Sequence, residues 1–161
     1  MHYLVLIQAI EVLPRLFDEV HVPTQVMEEL EHSRTPARVK QWVGSPPPWL
    51  HVNTPSTSLP ASVHLDPGEA QAIALAKELG ADAVLIDERK GRRIAQEHGL
   101  LAVGTLAVLE LAAERKLLEL KPALQALSAT TFYISESYLQ DALRRDETRK
   151  HAEGDRSDRQ T

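Results

Sequence analysis

The residues of this chain best suited to chemistry are carboxylates. One set lies in VLIDERKGRR, residues 84–93, where an apolar run ends on Asp87 and Glu88 and is followed by Arg89, Lys90, Arg92 and Arg93. A second lies in LDPGEAQAI, where Asp66 and Glu69 flank Pro67 and Gly68. A third lies in VMEELE, where Glu28, Glu29 and Glu31 crowd one helical turn. Two carboxylates about 4 Å apart repel by roughly 4 kcal/mol at an effective dielectric near 20. A fold tolerates such groups when a divalent cation neutralises them or when one pKa rises. Carboxylates held around Mg²⁺ or Mn²⁺ activate water and stabilise an in-line displacement at phosphorus. The four bases behind Asp87 would then hold the phosphate backbone of a substrate.

Each of these residues also has a plainer role open to it. Asp87 can cap a helix over 89–98, and Glu88 can simply open that helix, where an acid interacts well with the helix dipole. Asp66, with Pro67 at the first helical position and Glu69 three residues on, matches a capping box. That spacing favours a structural role for Asp66 and leaves Glu69 divided between the cap and a crevice beside Asp87. Of Glu28, Glu29 and Glu31, at most two can face inward, and a solvated helix face is the simpler reading. The same holds for any single one of the four bases.

Composition narrows the chemistry further. The chain has no cysteine, which excludes disulfides, zinc–thiolate sites and cysteine nucleophiles. Its seven histidines are scattered with no pair at helical metal-ligand spacing, so a metal would be held by carboxylates, favouring Mg²⁺ or Mn²⁺ over zinc. A net charge of −5 argues against a protein that grips nucleic acid by bulk positive charge. It leaves room for an enzyme that touches one through a local basic patch. With 161 residues, 43% of them hydrophobic, the expectation is one domain with a real core. No apolar run approaches the roughly 20 residues of a membrane span. The opening MHYLVLIQAIEVL has neither a basic leader nor a small-residue cleavage site, so a cytoplasmic protein without membrane contact is expected.

The elements that must position these acids follow from periodicity and punctuation. Tyr3 to Phe17 keeps close to a helical period, with Pro14 expected to bend or split it. Glu19 to Val22 is a short strand; Thr24 is placed to cap the next helix, with Met27 and Leu30 inward. A short helix over Ala37 to Val43 ends at Gly44, SPPPW is a rigid loop, and WLHV is an edge strand. Residues 53–62 form a polar surface loop. Then come helix 67–79, strand 83–86, helix 89–98, strand 100–103 and helix 105–116, with Gly80 and Gly99 where helices stop. Helices near 121–128 and 135–149 follow, and the charged end frays into disorder. Helix, glycine and short strand in repetition predict parallel strands joined by right-handed crossovers. In such sheets functional groups collect beyond the strands' carboxyl ends, where Asp87 stands.

The series VHVPTQVMEEL, LDPGEAQAIALAKELGADAVLIDERKGRRIA, VGTLAVLELAAERKLL and FYISESYL resembles one bacterial and archaeal branch of PIN-domain proteins. The likeness runs from about Tyr3 to Arg144, and its central block is highly specific. It implies a three-layer α/β/α fold with a parallel central sheet over residues 1–145; composition, not the resemblance, makes 146–161 a charged tail expected to be disordered. The resemblance also implies a Mg²⁺- or Mn²⁺-dependent single-strand ribonuclease, as in the toxins of VapC-type toxin–antitoxin pairs. Partners would then be single-stranded RNA, an antitoxin protein and a second copy of the chain. By motif, Glu29, Glu69 and Asp87 match the catalytic and metal-binding acids. The resemblance decides neither Asp66 nor Glu88; Glu88, beside Asp87, is kept as a fourth candidate metal ligand. Arg89, Lys90, Arg92 and Arg93 are the candidate nucleic-acid contacts.

One departure bears on activity. Such proteins normally open on a strand whose Asp is the first catalytic carboxylate, and this chain begins at Met1-His2-Tyr3, about where that strand should have ended. The expectation is a sheet without its first strand, a pocket one ligand short, and weak or no cleavage. That leaves a second class of function, a PIN-like module that binds RNA or protein without cutting. A phosphoacceptor receiver domain lacks its acidic pair and late lysine here, and no G-x-S-x-G elbow supports a serine hydrolase. The apolar first helix and the Leu-rich stretch 106–118 offer surfaces for self-association.

Overall fold

Short strands bounded by helices leave little room for a wide sheet, and the strands are indeed three or four residues long. The computed structural model describes residues 1–60 and 64–158. Two compact units divide the chain, Met1–Thr105 and Leu106–Thr161.

The first unit opens on helix α1 (His2–Leu6), a 3-10 turn at Ile10–Val12 and helix α2 (Leu13–Leu16). The expected break at Pro14 falls earlier. Gln8 takes a left-handed φ of 61°, and Ala9 N–H closes on the Leu4 carbonyl at 2.8 Å, so α1 ends at Leu6, well before the proline. Pro14 instead sits in the first turn of α2, where its missing N–H is no loss.

Strand β1 (Val20–Pro23) leads into α3 (Thr24–Glu31), then α4 (Ala37–Val43) and β2 (Leu50–Asn53). Met27 and Leu30 of α3 are buried, as their spacing requires. The cap differs: Pro23 occupies the cap position, and the Thr24 hydroxyl meets that of Thr54 at 2.8 Å. Polar loop residues follow β2; residues 61 and 62 of that expected loop lie outside the described residues.

Helix α5 (Pro67–Leu79), β3 (Ala83–Leu85), α6 (Arg89–Glu97) and β4 (Leu101–Val103) complete the unit. Gly80 (φ +62°) and Gly99 (φ +78°) close their helices in the left-handed conformation that only glycine takes without strain.

The fold class is α/β with parallel strands, as expected. β1 pairs with β2 and β3 with β4, both in parallel register, as two separate two-stranded sheets. Between β1 and β3 runs a groove of about 170 Å³, lined by Val22, Val84 and Leu85 and by Leu75 and Leu79 of α5. Helix α5 packs on both β1 and β3, so one helix spans the two sheet pieces. Ile73 and Ala76 of α5, Val84, Ile86, Ile94, Ala95 and Ala102 form the core that holds β3, β4 and α6 to it.

In the second unit are α7 (Thr105–Glu114, its first residue closing the first unit), α8 (Leu120–Ser128) and α9 (Glu136–Asp158). Leu120, Leu124 and Leu127 give α8 one buried stripe. Glu110 is bonded by Tyr138 and, at 2.9 Å, by Arg145. α9 carries the helix well past residue 149; residues 159–161 lie outside the described residues. In the two apolar stretches expected to offer association surfaces, Leu4, Val5, Val108, Leu109, Ala112 and Ala113 are buried, while Leu6, Leu106, Leu111, Leu117 and Leu118 are half-buried. Among the described residues no helix is long and apolar enough to cross a membrane.

Ile73 is fully buried in the first unit's core. Its replacement by Ala should cost about 2–5 kcal/mol. Urea unfolding checks this, through a lower midpoint at an unchanged slope.

Candidate active site

The site is built where three helix starts and strand ends meet. Asp87 leaves β3 one residue beyond Ile86, whose N–H extends the ladder to the Val103 carbonyl at 2.9 Å. That register sets Asp87 beside the end of β4. Thr105 N–H donates to Asp87 Oδ1 at 2.7 Å, and Thr105 Oγ1 donates to Oδ2 at 2.7 Å. Asp87 is therefore not the cap of α6. Glu88 holds the cap position, exposed and with no side-chain cap bond.

Asp66 caps α5 as its spacing predicts, accepting from Gly68 N–H at 3.2 Å. Glu69 does not close the box with its Oε2. That oxygen is buried with no hydrogen-bond partner. It presses instead on α6: a methyl at Gly91 would lie 2.8 Å from Glu69 Oε2 and equally close to Ile86 Cγ2. Glu69 thus takes the crevice side of the alternative left open by its spacing.

From α3, Glu29 turns inward while Glu28 and Glu31 are exposed. Gln25, one turn earlier, donates to Glu29 Oε1 at 3.2 Å. The Glu29 carboxylate lies against Gly68, filling the space a side chain there would need. Gly68 is buried, so only a residue without a Cβ lets α3 and α5 approach here.

Electrostatics tie these acids into one group. The pKa of Glu69 is pushed up to about 7, first by burial and then by the charges of Glu88, Asp66, Asp87 and Glu29. Burial also raises Glu29, with Asp66 adding to it and the bonds from Gln25 and the Gly68 amide opposing it. The Met1 amino group is close enough to feel Asp87, yet burial holds its pKa below the usual value.

The four bases separate. Arg92 Nη1 and Asp87 Oδ1 both lie 3.4 Å from where a methyl on Gly104 would sit, so this guanidinium flanks the acid. Arg93 turns away to Glu97, 3.5 Å distant in an exposed pair. Arg89 and Lys90 are exposed at the start of α6. Sequence reading overlooked Thr105 and Gln25. The GT pair at the end of β4 was a signal for Thr105, since it occupies the same strand-end position as Asp87 one strand over.

Carboxylates whose charges act together on Glu69 suit a divalent cation by charge and by donor type, and the unpartnered Glu69 oxygen is the donor with most to gain. Among the described residues, though, no three Asp, Glu or His side chains stand in a ready metal-holding arrangement.

An α/β chain with parallel strands and acids gathered beyond a strand end defines the class. The chain belongs to the PIN-domain family: a family model described as a PIN domain matches residues 1–148, which assigns it to a nuclease-like superfamily. No curated protein and no solved structure matches it.

Because its folded pKa lies above the usual 4.5, Glu69 carries a proton in the folded chain that it lacks when unfolded, between those two values. Stability is therefore lost progressively as pH rises from 4.5 to about 7, and the loss levels off above that. Glu69→Gln should leave Tm at pH 5 within about a degree of the parent and raise it at pH 8 by about 2–4 °C. Thermal unfolding followed by circular dichroism at the two pH values measures this.

Proposed function

We propose that this protein is a metal-dependent single-strand ribonuclease of PIN type. The observation that carries the reading is the buried, unpartnered Glu69 oxygen, with four further carboxylates close enough to raise its pKa. Glu29, Glu69 and Asp87 would hold a Mg²⁺ or Mn²⁺ ion, with Glu88 at the rim. The ion, when bound, supplies a water activated at neutral pH and neutralises charge developing at phosphorus.

The chain's own residues supply the rest. Arg92, beside Asp87, binds a phosphate oxygen of the strand being cut, and Arg89 and Lys90 hold the flanking phosphates. Arg93 contributes less, since Glu97 competes for it. Gln25 orients Glu29, and the buried setting of Glu69 keeps water from competing with the site's donors. On the same reading the protein acts in the cytoplasm as a self-associating toxin, held in check by an antitoxin protein. The resemblance of its motifs to VapC-type toxins supports that part.

A second reading is a PIN-like module that binds RNA or protein without cutting. The lack of a ready three-ligand arrangement among the described residues favours it. That same observation makes the expected nuclease weak, with a need for millimolar cation.

The test is incubation of a labelled single-stranded RNA with purified protein and Mn²⁺ or Mg²⁺. The expected outcome is slow cleavage, abolished by chelation and reduced on the order of 100-fold or more by Asp87→Asn. Salt-dependent RNA binding with no cleavage would select the second reading. Cleavage indifferent to Asp87→Asn would sink the first.

A further inference from the structure

Asp87 receives two hydrogen bonds of 2.7 Å from a single residue, one to each oxygen. The backbone donor is the N–H of Thr105, the first residue of α7 and hence one that has no partner within its own helix. The side-chain donor is the Thr105 hydroxyl. A fork of this kind fixes both the direction and the roll of a carboxylate, as one bond alone would not.

Three further features make the fork stiff. Thr105 is 0% exposed, so water does not compete for Asp87 through it. Its side chain is β-branched, which restricts χ1. The backbone on both sides is pinned by the β3–β4 ladder, continued through Ile86 N–H to the Val103 carbonyl at 2.9 Å. Each Asp87 oxygen keeps a lone pair outside the fork. Gly104, buried between them, leaves open the volume shared by Asp87 Oδ1 and Arg92 Nη1.

We infer that Thr105 is the positioning residue of Asp87: its hydroxyl and amide aim the carboxylate's free lone pairs into the acid crevice, setting cation affinity and turnover. The inference rests on the nuclease reading above. A purely structural Thr105 would instead be a cap joining the start of α7 to β3, and its loss would lower stability without touching the site.

Thr105→Val keeps the amide donor and the shape but removes the hydroxyl; Thr105→Ser keeps both donors. Two readouts separate positioning from stability: Mn²⁺ affinity by calorimetry without RNA, and the split between kcat and KM for RNA cleavage. Thr105→Val should fold with parent-like circular dichroism, bind Mn²⁺ about 10–100-fold more weakly, and lose kcat with KM for RNA little changed. Thr105→Ser should recover to within a few-fold of the parent. Parent-like Mn²⁺ binding and kcat in Thr105→Val overturns the positioning role while leaving the nuclease reading intact. So does an equal loss in the Ser and Val variants. A parent that neither binds Mn²⁺ nor cleaves overturns both.

Discussion

Mutual repulsion among carboxylates is the constraint on which the first unit is built. Asp66, Glu69, Asp87, Glu88 and Glu29 come from three separate stretches of chain, and burial first, then the charges of the other four, lift the pKa of Glu69 to about 7. Such a group survives in a folded protein only when other interactions hold its members in place. Here the donors are distributed unevenly. Asp87 has the Thr105 fork, Glu29 has Gln25, and Asp66 has the Gly68 amide. Glu69 Oε2 has nothing. Three of the acids have a donor in place, whereas burial and crowding leave a buried oxygen of Glu69 without one.

The glycines follow from the same constraint. Helix α6 carries Gly91 between pairs of bases, at a helix-propensity cost of about 1 kcal/mol relative to alanine. A side chain there would run into Glu69 and Ile86 together. Gly68 makes the corresponding space for Glu29 between α3 and α5. In RKGRR, therefore, the glycine matters to the site as much as the charges do. It lets the helix approach an acid closely enough to exclude water from one of its oxygens.

Much of this was readable from residue order, and the reasons for the remainder are specific. Glycines at 80 and 99, the Asp66 cap and the buried spacing of Met27 and Leu30 are local signals, and local signals persist in the fold. Gln8 carries no such signal: a glutamine in a left-handed conformation, not Pro14, ends the first helix. The pairing of strands into two separate sheets depends on contacts distant in sequence, which periodicity does not encode. At the site, spacing alone left Asp87 divided between cap and crevice and Glu69 divided likewise. The decisive facts were a bond across 18 residues to Thr105 and an orphaned oxygen, neither visible in a motif. Glu29 was singled out from its neighbours by resemblance alone; geometry supplies the reason, since Gln25 and Gly68 lie on its side of α3.

Proton and cation are alternative ways of relieving the same crowding, and on the proposed reading they compete for Glu69. The bases do not settle the matter: Arg92 flanks Asp87, but Arg93 is paired with Glu97 and the others lie exposed. With no cation, a proton on Glu69 is the cheapest neutralisation, and its pKa near 7 makes that proton readily exchangeable at neutral pH. A divalent ion entering the crevice must displace it, so cation affinity rises as pH climbs through that value. On that reading the proton that relieves the crowding would also weaken the hold on metal under mildly acidic conditions. A stiff Asp87, already committed in orientation, loses little on binding, whereas Glu69 has both a proton to give up and an unmade bond to gain. On the proposed reading the two acids would divide the work of the site accordingly, one fixing direction and the other setting the pH range over which a cation is held.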